Sequence, residues 1–149
     1  MVQVLIVVAL ALVAAGVAWQ LQRRTRPEPE RGPTYQVPTL LDRRHFDRPD
    51  APWLVAVFSS STCLACAGTW DKAVLLESDA VAVQEVEAIE RKDLHDRYGV
   101  DAVPLVLIAD AAGVVRRNFV GPPTATDLWA ALAELRAPGS VPPGCAGGE

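Results

Sequence analysis

The chain has 149 residues, enough for one compact domain and too few for two of ordinary size. Its net charge is −4 and no basic stripe exists outside the short stretch Arg23 to Arg31, which excludes a general nucleic-acid binder. Three cysteines do not make a disulfide framework, so cysteine usage leaves the redox compartment open.

From Val2 to Leu21 the chain carries no charged side chain, and Trp19 stands near the end of the run. A helix of about 20 such residues spans a bilayer with its tryptophan at the interface. Residues 1–22 are therefore read as one transmembrane anchor, with membrane lipid as a partner. The alternative is a cleaved signal peptide, for which Gly16-Val17-Ala18 offers a small-x-small site but the charged n-region is missing. No Lys or Arg precedes the run, while Arg23, Arg24, Arg26 and Arg31 follow it. The positive-inside rule then gives a single-pass protein of the cell membrane with its domain in the cytoplasm, extracytoplasmic placement being the alternative. Residues 23–34, charged and proline-rich, form a semi-extended linker.

Tyr35 to Leu41 reads as a first strand and Asp42 to Arg48 as a short helix or turn. Trp53 to Phe58 is an unbroken apolar run of the kind buried on both faces of a sheet. Cys63 to about Ser78 suits a helix with Ala67, Trp70, Val74 and Leu75 inward. A strand follows at Ala80 to Ala88, then a helix at Arg91 to Tyr98 stopped by Gly99. Leu105 to Ala109 and Val114 to Val120 form a hairpin about the turn Asp110-Ala111-Ala112-Gly113. Asp127 to Arg136 is the last helix, with Leu128, Trp129, Leu132 and Leu135 on one stripe and Thr124 with Asp127 as a capping box. Residues 138–149, rich in Pro and Gly, are read as a disordered tail carrying Cys145. The expectation is an α/β domain over 35–137 with a central mixed sheet flanked by helices.

The pair Cys63-Leu64-Ala65-Cys66 lies between the apolar strand and the helix it opens. Two cysteines so spaced bring their sulfurs within disulfide reach, and the helix N-terminus favours Cys63 as thiolate, the form that attacks a substrate disulfide. Ser59 to Thr62 read as capping residues, with Thr62 beside the nucleophile. Trp53 and Trp70 read as core, His45 and His95 as surface.

The strand running into Cys63-x-x-Cys66, the segment Tyr98-Gly99-Val100-Asp101-Ala102-Val103-Pro104 and the closing hairpin and helix together resemble the thioredoxin-like family over roughly Gln36 to Arg136. That resemblance implies a thioredoxin-like fold and a thiol-disulfide oxidoreductase with Cys63 as nucleophile and Cys66 as resolving thiol. Its partners are disulfide-containing protein substrates and a thiol-redox electron donor or acceptor, and neither a bound cofactor nor a metal is implied. It further implies a cis Val103–Pro104 bond, with Val103 and Pro104 shaping the substrate groove. The sequence departs from the family at two places. Leu64-Ala65 stands where Gly-Pro is usual, and about Val57 stands where thioredoxins bury an Asp to take the second thiol's proton. Glu85, where many thioredoxins have a Lys, is the candidate replacement base. Two rivals remain: a non-catalytic binding module that uses the groove, and a metallochaperone for a soft ion such as Cu(I).

Overall fold

The structure, a computed structural model, describes residues 35–141. The expected anchor at 1–22, the linker at 23–34 and Cys145 lie outside the described residues. Among those described, no helix is long and apolar enough to cross a membrane.

Four strands form one mixed sheet: β1 (Trp53–Ser59), β2 (Val81–Glu87), β3 (Leu105–Asp110) and β4 (Val115–Val120), in the order β2-β1-β3-β4. Strand β1 pairs parallel with β2 and antiparallel with β3, and β3 pairs antiparallel with β4. Because β1 has a strand on each side and helices over both faces, every residue from Leu54 to Ser59 is buried. The continuous apolar pattern of that run has this cause.

Alternate residues of the strands feed two separate cores. Leu54, Ala56 and Phe58 pack with Leu94, Leu105 and Leu107 on one face. Val55 and Val57 pack on the other with Val106, Ile108 and Leu128. Each of the Val, Leu, Ile and Phe side chains among these, buried, stabilises the fold by roughly 1.5–3 kcal/mol before conformational entropy is subtracted. Helix α1 (Leu64–Ala73), continued by a 3-10 turn at Val74–Leu76, and helix α3 (Ala125–Arg136) cover the second face. Helix α2 (Lys92–Tyr98) covers the first and ends at Gly99, whose φ of 62° lets the chain leave the helix in the left-handed region.

The expected first strand does not form. Among residues 35–41 only Leu40 makes a bridge, to Val114 at the hairpin, which leaves β2 as a sheet edge. The backbone N–H of Asp47 caps the Gln84 side chain at 2.7 Å, and the Arg48 guanidinium reaches the Val81 carbonyl at 3.2 Å, so side chains close part of that edge instead.

The inward stripe of α1 is also shifted by one residue. Cys66, Thr69, Ala73 and Leu76 are buried, Trp70 and Val74 half-buried, and Ala67 and Leu75 exposed. Thr69 tolerates burial because its hydroxyl donates to the Ala65 carbonyl at 2.9 Å. In α3 the buried residues are Leu128, Ala130, Ala131 and Leu132, while Trp129 keeps 51% of its surface exposed. The capping box at Thr124 and Asp127 forms as expected. Gly139 and Val141, at the start of the expected tail, donate their backbone N–H groups to the Glu134 carboxylate at 2.7 and 3.3 Å.

Candidate active site

Strand β1 delivers the chain to Ser59, and a tight turn carries it to α1. In that turn the Cys63 N–H donates to the Ser60 carbonyl at 3.0 Å, and the Ser60 and Thr62 hydroxyls lie 3.1 Å apart. The expected side-chain cap from Ser59 to Thr62 is absent. Cys63 itself is the N-cap of α1, in extended conformation (φ −94°, ψ 108°), and no side-chain oxygen caps the helix. The Cys63 side chain accepts no capping hydrogen bond either; its place at the helix start puts it near the end where first-turn N–H groups lack helical partners. A thiolate there is favoured by those donors and by the helix dipole.

Cys63 and Cys66 are joined in a disulfide, with their Cα atoms 5.4 Å apart. Cys63 is partly exposed, whereas Cys66 is 2% exposed and packed under the helix. A partly exposed first cysteine and an enclosed second one suit a nucleophile and an internal resolving thiol. Leu64, between them, is fully exposed.

The loop after α2 returns the chain to the same end of the sheet. The Val103–Pro104 peptide bond is cis, Pro104 is buried and Val103 half-buried. Cys63 Sγ lies 3.9 Å from the Val103 carbonyl oxygen. The next carbonyl, of Pro104, accepts the Gly121 N–H at 2.9 Å and is thereby fixed to β4. The residues expected to shape a groove are thus brought against the dithiol.

Glu85 is the register partner of Val57 in the parallel pair, so both point to the face that carries α1. Glu85 is half-buried and accepts a 2.7 Å hydrogen bond from the hydroxyl of Ser59, itself 1% exposed. Ser59 was missing from the catalytic reading of the sequence. Only the register of β1 against β2 reveals that this serine meets a carboxylate below the dithiol helix.

A second carboxylate stands two residues further along β2. Glu87 accepts backbone N–H groups from Ser61 at 2.9 Å, Ile89 at 2.7 Å and Glu90 at 3.0 Å. These bonds, that from Glu90 first, hold its carboxyl below the usual carboxylate range.

Neither histidine is at the dithiol or on the surface as expected. His95 is buried, its Nε2 2.9 Å from the Val86 carbonyl oxygen and its ring edge-on to Phe58. His45 is half-buried, its Nδ1 2.9 Å from the Tyr98 hydroxyl. Both serve packing, for which α2 and the Arg43–His45 turn supply the frame.

No protein-family model matches the sequence, and no curated protein matches it. Solved structures do. The chain is similar to the thioredoxin of Fasciola hepatica, with 19% identity and a TM-score of 0.52 over 61% of this chain and 88% of that one. It is similar to thioredoxin f2 of Chlamydomonas reinhardtii, with 18% identity and a TM-score of 0.51 over 66% and 94%. For Deadhead, the germline-specific thioredoxin of Drosophila melanogaster, the figures are 20% identity and 0.51 over 58% and 84%. At these identities the likeness shows the fold alone: the described residues adopt a thioredoxin-like fold.

Proposed function

We propose that this thioredoxin-like chain is a membrane-anchored thiol-disulfide oxidoreductase acting on disulfides of protein substrates. The observation that carries the reading is the Cys63–Cys66 disulfide at the start of α1, with Cys63 Sγ 3.9 Å from the Val103 carbonyl oxygen.

In the reducing direction the Cys63 thiolate attacks one sulfur of a substrate disulfide, forming a mixed disulfide and releasing the other substrate sulfur as thiolate. Cys66 then gives up its proton and attacks Cys63 Sγ. The second substrate sulfur leaves, and the Cys63–Cys66 disulfide closes. Two electrons and two protons pass to the substrate, and a thiol-redox donor must return them before the next turnover. Run backwards, the same steps oxidise a substrate dithiol. Val103 and Pro104 form the wall against which an extended substrate segment aligns its disulfide on Cys63.

Cys66, enclosed beneath the helix, needs a proton acceptor. Val57 supplies none, and Glu85, held by Ser59, fills that role on the same sheet face. In this reading residues 1–22 are the anchor and 23–34 a spacer, and the arginines after the apolar run favour the cytoplasmic side.

Insulin reduction by the full-length chain in detergent, with dithiothreitol as electron source, tests the activity. Acceleration above the thiol background is the expected result. A chain that folds and does not accelerate reduction, yet holds a stoichiometric Cu(I) or a substrate-like peptide, belongs to one of the non-catalytic rivals. Labelling in intact cells with a membrane-impermeant thiol reagent, on a Cys145→Ser background after reduction, tests the topology. Labelling before lysis overturns the cytoplasmic placement.

A further inference from the structure

The catalytic turn is held from outside by one side chain. Glu87 ends β2, and its two carboxylate oxygens divide their acceptors between two segments: Oε1 takes the N–H of Ser61, two residues before Cys63, at 2.9 Å, and Oε2 takes the N–H groups of Ile89 and Glu90 at 2.7 and 3.0 Å. Within the turn the bonds are neutral ones, between Cys63 N–H and the Ser60 carbonyl and about the Ser60 hydroxyl. Glu87 supplies the charge-assisted link from that turn to the β2–α2 junction, a bond type roughly twice as strong as a neutral one. A backbone ladder bond lies alongside it, from the Ala88 N–H to the Ser59 carbonyl at 3.0 Å. The clasp therefore begins where the ladder stops and extends sheet rigidity toward the first cysteine.

We propose that Glu87 is a positioning residue for the dithiol chemistry: by clasping the Ser60–Thr62 turn it holds Cys63 at bonding distance from Cys66 and so favours the closed disulfide. This rests on the oxidoreductase reading above and adds to it the group that sets the balance between the two redox forms. Closing the disulfide requires Cys63 and Cys66 to meet within one fixed geometry, and a turn free to swing lowers their effective concentration for each other. The negative charge acts in the same direction, because a carboxylate near the turn disfavours the Cys63 thiolate relative to the neutral disulfide. Glu87 touches no reacting atom; it acts through the backbone of Ser61.

The test is the equilibrium of the full-length chain, in detergent and with Cys145→Ser, against glutathione: protein dithiol plus one oxidised glutathione gives protein disulfide plus two reduced glutathiones. Glu87→Ala is expected to lower that equilibrium constant by about tenfold, about the worth of one hydrogen bond to a charged group. Glu87→Gln, which keeps the shape and one acceptor oxygen, is expected to fall between it and the wild type, and it stands in for the alanine variant should that fail to fold. Titration of Cys63 by thiolate absorbance is expected to show a lower thiol pKa in both variants. Loss of thermal stability with the wild-type glutathione constant and wild-type Cys63 titration would make Glu87 a structural brace only and overturn the proposal. If the wild type itself does not equilibrate with glutathione, the oxidoreductase reading fails and takes the clasp with it; a normal wild type with unaltered variants removes the clasp alone.

Discussion

The Cys63 sulfur stands 3.9 Å from the carbonyl oxygen of Val103, so the first turn of α1 and the start of β3 meet at the atom expected to react. Cys63→Ser removes that atom and keeps its size nearly unchanged. Insulin reduction is expected to fall to the thiol background while the far-UV circular dichroism stays that of the wild type. Residual catalysis in this variant would exclude Cys63 as the nucleophile.

Cys66 is 2% exposed and out of reach of a large substrate, so it acts within the chain. With Cys66→Ser the mixed disulfide on Cys63 has no internal attacker. Covalent partners that dithiothreitol releases are expected on non-reducing gels, and their absence from cells expressing the variant would favour a groove that binds without chemistry.

Ser59 and Glu85 place a hydrogen-bonded carboxylate on the face beneath α1. Glu85→Gln is expected to slow the resolving step by about a hundredfold near neutral pH, the lower end of what a positioned base contributes. The loss is expected to shrink as pH rises past about 8.5, where an ordinary thiol ionises unaided. Ser59→Ala is expected to do the same more weakly. A pH-independent loss in rapid-mixing kinetics would assign Glu85 a packing role.

At the far end of the sheet Gly113 has φ +81°, and a Cβ on it would stand 1.9 Å from the Leu41 carbonyl oxygen. The Leu41 N–H also donates to the Gly113 carbonyl at 2.8 Å. Gly113→Ala is expected to cost about 3 kcal/mol, from the left-handed backbone and the displaced hydrogen bond. Urea unfolding measures it, and a change below about 0.5 kcal/mol, the range of unremarkable surface substitutions, would show that the hairpin shifts freely.

Two further carboxylates, besides Glu87, link stability to acid. Asp42 is held well below the ordinary range by the Arg44 side chain and then by the Arg44 N–H, and Asp127 is held below it by the Thr124 hydroxyl and N–H. Depressed folded-state values mean that their contribution is complete above the unfolded value of about 4 and is lost as pH falls through the lower folded value. The melting temperature is therefore expected to drop below about pH 4. Asp127→Asn is expected to show a lower melting temperature at pH 7 and a shallower acid decline; equal slopes would mean that the capping box carries no proton linkage.

What the sequence disclosed depended on whether a signal was local. Trp53 to Phe58, Gly99 after α2, the Asp110–Gly113 turn and the Thr124–Asp127 box each carry their cause within a few residues. Cys63 and Cys66 do so too. The 35–41 strand failed because extended character says nothing of which edge will accept the chain, and that choice belongs to residues far away, Gly113 and Val114. The α1 stripe differs from the expected one because Ala67 and Ala73 weigh alike as apolar, while Thr69 becomes fit for burial only through its hydrogen bond to the Ala65 carbonyl. Trp129 falls beside Leu128 in the expected stripe, yet in the structure it lies on the exposed flank of α3. Ser59, read from the sequence only as a capping residue, and Glu87 each acquire their role from a partner on another strand or turn.

Strand β3 begins next to Pro104 at the dithiol and ends at Asp110 in the hairpin. At about 3.4 Å per residue its length keeps the two ends roughly 17 Å apart. Ala111 and Ala112, exposed at the tip of the turn, therefore offer a handle remote from the chemistry. A fluorophore or surface linkage placed there would leave the sulfur end facing outward, so that substrate capture, exchange and release can be followed on immobilised protein.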